Sequence, residues 1–178
     1  MLKHGLIADL NHATNLMALD KWSTHSLKPF IQRSAEIKMQ IVEKDPKEKG
    51  VRVHLNFGHT AGHALESALL NAGGAIPHGV AVGLGMMAEL GLHQKFQWLL
   101  ADELEPILVF LRKKLKSYLR LTFDKGTVAQ FLLHDKKNKN GDIHMVRLVS
   151  LGSAKFTVPV SVDDMLAAME ASGIVLTE

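Results

Sequence analysis

Two histidines four residues apart, His59 and His63, stand in the run Arg52-Val-His-Leu-Asn-Phe-Gly-His-Thr-Ala-Gly-His-Ala-Leu-Glu66. On a helix that spacing puts both imidazoles on one face, where they can hold a metal ion or a polar substrate. A third imidazole, His78, follows in Ile76-Pro-His-Gly79. Pro77 suits the first turn of a new helix, which places His78 at a helix start. Two histidines on one helix and one at the beginning of the next form a constellation for metal binding and proton transfer. A lone His-x-x-x-His pair is more often a surface or core feature. Here Arg52 and Asn56 lie on the same stretch, more polarity than an ordinary core helix carries. The stretch is expected to be one helical segment, with Arg52 and Asn56 a turn apart and able to grip one anionic group. Gly58 and Gly62 weaken such a helix, so another backbone or a ligand should approach closely there.

Those groups need a frame. The chain has 178 residues, 47% of them hydrophobic, enough for one domain with a real core. It has no cysteine, which excludes disulfides and thiolate metal sites. Any metal would be held by His and carboxylates, a donor set suited to Zn²⁺, Co²⁺ or Fe²⁺. No apolar run reaches membrane-spanning length and no signal segment opens the sequence, so a cytoplasmic protein without membrane contact is expected. A formal charge of +3 is too small for a nucleic-acid footprint.

The periodicity predicts a mainly α fold. Residues 1 to about 20 read as one helix or two short ones. Ser26 is expected to cap the next helix, with Pro29 in its first turn. Leu27, Phe30, Ile31, Ser34, Ile37 and Ile41 would form its buried stripe, and Asp45-Pro46 would end it. The His78 helix is apolar nearly all round and should be buried. Asp102, with Glu105, reads as the cap of another helix. Ile143 to Val149 and Ala154 to Val160 predict one hairpin turning at Gly152, and Ser161 with Asp164 caps a last helix. No glycine-rich strand-turn-helix fingerprint for a dinucleotide is present.

The run Leu55-Asn-Phe-Gly-His-Thr-Ala-Gly-His-Ala-Leu-Glu66, with His78-Gly and Gly85-Met86, resembles 3-dehydroquinate synthase. Met1 to Asp9, Lys38, Asp45, Glu48, Arg52 and Asp135-Lys-Lys137 extend the likeness through most of the chain. The motif belongs to that family and to its sugar phosphate cyclase relatives. The resemblance implies the helical C-terminal half of an enzyme that converts 3-deoxy-arabino-heptulosonate 7-phosphate to 3-dehydroquinate with loss of phosphate. The chemistry is that of a carbon-oxygen lyase of the shikimate pathway, which feeds aromatic amino acid biosynthesis. It further implies a divalent metal, zinc or cobalt, and NAD carried on an N-terminal α/β domain that residues 1–178 do not include.

Residue by residue, the resemblance makes His59 and His78 metal ligands. It makes His63 the group that handles substrate protons and Glu48 a second proton acceptor. Lys3, Lys38, Arg52, Asn56 and one of Lys136 and Lys137 become contacts to a phosphorylated sugar-acid substrate. Two departures stand out. Val80 replaces the Glu that usually follows His-Gly, and the carboxylate ligand would fall just before Met1. The isolated chain is therefore expected to be inactive and to bind metal weakly. A homodimer is left open, as are two alternatives: another sugar phosphate cyclase, or a non-catalytic helical binding module descended from one.

Overall fold

The computed structural model describes residues 1–134 and 142–178. The backbone divides into two compact units, residues 1–55 with 146–157, and residues 56–145 with 158–178.

The first unit holds α1 (Leu2–Ala8), α2 (Leu10–Met17) and α3 (Thr24–Lys44). Leu2, Leu6, Ile7, Ala13 and Leu16 are buried where α1 meets α2. The two approach closely because Gly5 faces Ala13, where any side chain on Gly5 would lie 2.6 Å from the alanine methyl. Asp9 caps α2, accepting from the His12 amide at 3.1 Å, and also accepts from Arg33 Nε and Nη2 of α3 at 2.9 and 2.8 Å. The turn of a hairpin joins this unit. Gly152, with φ +82°, donates its amide to the Leu6 carbonyl at 2.9 Å.

The second unit is built around α5 (His78–Lys95), in which every residue from Ala81 to Leu90 is buried. α4 (His59–Asn71), α6 (Ala101–Leu115) and α8 (Val162–Ala171) pack on it, and α7 (Lys125–Leu133) packs on α4 and α8. Fully covered Leu84, Leu90, Leu104, Leu132 and Met165 fill the interior, each worth about 1.5–3 kcal/mol on burial. Helices α4 and α5 cross through glycines. A Cβ on Gly85 would lie 2.0 Å from the Gly58 carbonyl oxygen and 2.5 Å from the Gly62 nitrogen. One on Gly62 would lie 2.8 Å from the Ala81 carbonyl oxygen. The close backbone approach expected from Gly58 and Gly62 is thus the α4–α5 crossing. β2 (Ile143–Ser150) and β3 (Ser153–Val160) pair as the expected hairpin. Thr60 of α4 donates its hydroxyl to the His144 carbonyl at 3.1 Å.

Several local expectations give way. Residues 52–66 are not one helix. Val51–Asn56 is a 3₁₀ turn, and Gly58 at φ +78° breaks the chain before α4 begins at His59. A 3₁₀ helix has three residues per turn, so Arg52 and Asn56 are not one turn apart. Ser23, not Ser26, caps α3, with the Ser26 hydroxyl completing a capping box and Pro29 beyond the first turn. Ile31 is 54% exposed, because only Ser34 and Ile37 of α3 are buried. Leu100 rather than Asp102 is the N-cap of α6, and its amide is accepted by Glu103 at 3.1 Å. A short parallel pair, β1 (Thr122–Asp124) with β4 (Val175–Thr177), joins the hairpin as a second two-stranded sheet. Among the described residues no helix is long and apolar enough to cross a membrane.

Candidate metal centre

His59 and His63 open α4 and His78 opens α5, so the helix crossing fixes all three backbones. Their ring centroids are 5.1 Å (His59–His63), 5.3 Å (His59–His78) and 5.6 Å (His63–His78) apart. One ring nitrogen from each falls within 4.8 Å of the others. His59 is half-buried; His63 and His78 are exposed. His59 Nδ1 lies 3.2 Å from the Phe57 carbonyl and His78 Nδ1 lies 3.1 Å from Glu66 Oε2. Each acceptor calls for an Nδ1–H, and in a ring that is neutral this puts the lone pair on Nε2. Val80 offers no acceptor, and the carboxylate on His78 is that of Glu66. The sequence motif alone does not single out Glu66 as a site residue, although it follows His59 by seven and His63 by three and so shares their helix face.

Three imidazoles in this arrangement are donors that suit a borderline divalent ion such as Zn²⁺ or Co²⁺. Catalytic zinc takes three protein ligands and keeps one position open. Asn56 belongs to the same unit as the histidines and is half-buried.

Lys3, Lys38, Glu48 and Arg52 belong to the other unit. Lys3 donates Nζ to the Leu55 carbonyl at 2.6 Å. Lys38 is exposed on α3. Both act on His4, half-buried beside Ser34 with Nδ1 2.5 Å from its hydroxyl oxygen. Burial first, then Lys3, the terminal ammonium and Lys38, push His4 down to about 4. Asp45 organises the loop after α3. Its carboxylate accepts from the amides of Lys49 (3.0 Å), Gly50 (2.7 Å) and Arg52 (3.0 Å). Those bonds, the Lys49 amide foremost, hold its carboxyl below the ordinary value. The loop sets Glu48 at φ +53°, a conformation side chains rarely adopt. Arg52 Nε lies 3.9 Å from Glu48 Oε2, and its Nη1 donates to the Pro46 carbonyl at 2.8 Å. Lys136 and Lys137 lie outside the described residues.

Residues 1–138 match the model of the family described as 3-dehydroquinate synthase C-terminal. This chain belongs to that family. Curated 3-dehydroquinate synthases align with nearly all of it. The protein from Parabacteroides distasonis is 32% identical over 172 residues, 96% of this chain and 49% of the relative. That from Methylococcus capsulatus is 34% identical, covering 97% and 49%. The chain thus spans about half the length of the curated relatives it matches. The 3-dehydroquinate synthase fold is shared with solved sugar phosphate cyclases. A 2-deoxy-scyllo-inosose synthase complexed with carbaglucose-6-phosphate, NAD⁺ and Co²⁺ superposes with a TM-score of 0.74 at 20% identity, covering 96% of this chain and 50% of that one. A 2-epi-5-epi-valiolone synthase from Streptomyces hygroscopicus, with NAD⁺ and Zn²⁺ bound, gives 0.72 at 21%, covering 96% and 48%.

Proposed function

We infer that this chain is the metal- and substrate-binding half of a 3-dehydroquinate synthase, a phosphate-eliminating lyase acting on 3-deoxy-arabino-heptulosonate 7-phosphate. The observation that carries the reading is the cluster His59, His63 and His78, with one nitrogen of each within 4.8 Å of the others, in a chain of this family. On this reading His59 and His78 present Nε2 to a divalent ion. When bound, such an ion supplies Lewis-acid polarisation of a substrate oxygen. NAD is held by the other half of the longer enzyme.

The chain's own groups divide the remaining work. His63, exposed and on the same helix face as His59, takes and returns substrate protons at a ring nitrogen. Glu48 is a second proton acceptor, held beside Arg52 by the Asp45 loop. Arg52, Lys3, Lys38 and Asn56, with Lys136 or Lys137, are the groups for the substrate's carboxylate and phosphate.

The test has two arms. Titration of the chain with Co²⁺ or Zn²⁺ should give one site, weakened at least about tenfold in His59→Ala and in His78→Ala. Equal affinity in all three proteins overturns the site. Phosphate release by the longer enzyme should be fastest from 3-deoxy-arabino-heptulosonate 7-phosphate. A preference for another sugar phosphate overturns the substrate and makes the protein a different cyclase.

A further inference from the structure

We propose that Glu66 is the positioning residue for His78, fixing which ring nitrogen of His78 faces the ion. The inference rests on the reading of His78 as a ligand. Glu66 lies on α4, three residues after His63 and seven after His59, so one helix face carries both histidines and the carboxylate. From that face Glu66 Oε2 reaches His78 Nδ1 on α5 at 3.1 Å. The span is fixed because α4 and α5 meet backbone to backbone at Gly58, Gly62 and Gly85.

A carboxylate is an acceptor only, so the bond requires the proton on Nδ1, and in the neutral ring the lone pair is then on Nε2. The same carboxylate makes the ring a stronger donor to a cation and stops it rotating. His59 is handled differently, by the carbonyl of Phe57, which is part of its own chain turn. His78 is exposed at the first position of α5. A ring there with no partner would sample several rotamers and both tautomers. Glu66 is not one of the three residues whose donor atoms cluster within 4.8 Å, which separates orienting from ligating. The pair is solvent-exposed, with side-chain exposures of 53% and 32%, so it contributes little to stability. Its effect lies in orientation.

The test compares the chain with Glu66→Ala and Glu66→Gln. Ring ¹⁵N NMR of the metal-free proteins reads the tautomer directly. His78 should be the Nδ1–H form in the parent and in Glu66→Gln, whose amide oxygen still accepts. It should become a mixture in Glu66→Ala. Cobalt affinity should fall about 10–100-fold in Glu66→Ala and be largely restored in Glu66→Gln, with the visible spectrum at saturation and the melting temperature unchanged. An unchanged tautomer and affinity in Glu66→Ala, while His78→Ala still weakens binding, overturns the role of Glu66 alone. A saturated spectrum that changes coordination in Glu66→Ala also overturns it, because Glu66 is then a ligand. If His78→Ala leaves affinity intact, the site itself is misread and the inference falls with it.

Discussion

Gly85 and Gly58 touch across the α4–α5 crossing with no room for a methyl group, since a Cβ on Gly85 would stand 2.0 Å from the Gly58 carbonyl oxygen. The neighbouring contact, the Gly62 nitrogen at 2.5 Å, is also backbone and cannot swing aside. Gly85→Ala should therefore force the helices apart and cost about 1–3 kcal/mol or more. It should separate the His59 and His78 rings as well, so metal affinity falls with the melting temperature. Gly79 sits in the first turn of α5, and a methyl group there would meet nothing within 4 Å. Gly79→Ala should leave stability unchanged or raise it by about 0.5–1 kcal/mol. Thermal melts of the two variants check the contrast; similar melting temperatures would contradict it.

His63 and His59 share a helix face but are assigned different work. His63→Ala should leave cobalt affinity within a few-fold of the parent while phosphate release by the longer enzyme drops about 10²–10⁴-fold. His59→Ala should lose both. Equal loss of metal in the two variants would make His63 a third ligand and would leave the proton role without support.

The helices around the site were legible because their signals are local. Ser161 and Asp164 announce the start of α8, and the structure has the Ser161 hydroxyl oxygen accepting from the Asp164 amide at 3.0 Å. The unbroken apolar run in α5 announces its burial. The glycine pair announced a close approach without naming the partner, which is set by tertiary packing. The kink at Gly58 was not readable, because glycine is as much at home inside a weak helix as in the left-handed turn it adopts here. Strands of three residues, such as β1 and β4, carry too few side chains to register as a pattern. Ile31 fell in step with the apolar stripe of α3, yet the face that packs on α1 and α2 is that of Phe30, Arg33 and Ser34, against His12, Asp9 and His4, and Ile31 stays exposed. Glu66 was visible as part of the motif, but a helix-face argument gives no reach to a second helix.

Asp45 supplies a prediction about the loop that carries Glu48 and Arg52. Its carboxylate binds three amides and has a lowered pKa. A depressed carboxylate stabilises above its unfolded pKa and loses that contribution as pH falls through the folded value. Amide exchange at Lys49, Gly50 and Arg52 should thus be protected at neutral pH and rise only in acid below the ordinary carboxylate range. Asp45→Ala should abolish the protection at every pH, several-fold or more, without unfolding α3. Identical exchange in the variant would sink the assignment.

His4 is a base whose folded pKa is lowered rather than an acid. That pKa, about 4, lies below the ordinary 6.5, so the unfolded chain binds the proton first. Stability should be level above about pH 6.5 and fall as the solution is acidified toward pH 4. The titratable neighbours are Lys3, Lys38, the terminal ammonium and His12. Urea melts across pH 4–7 of the chain and of His4→Gln measure the effect, and the slope in this window should be smaller in the variant.

The first unit is assembled from residues far apart in sequence, 1–55 and 146–157, with the Gly152 amide bonded to the Leu6 carbonyl. During synthesis α1–α3 emerge before residues 56–145, and the strands that complete their unit appear only after those residues have been made. That intervening stretch contains most of a second core that can close on its own contacts. Folding in the cell should then run from the middle outward, with the histidine-bearing helices set before the amino-terminal ones are sealed. Through that interval the Leu6 carbonyl would wait without the Gly152 amide, and Leu10 without the turn that packs against it.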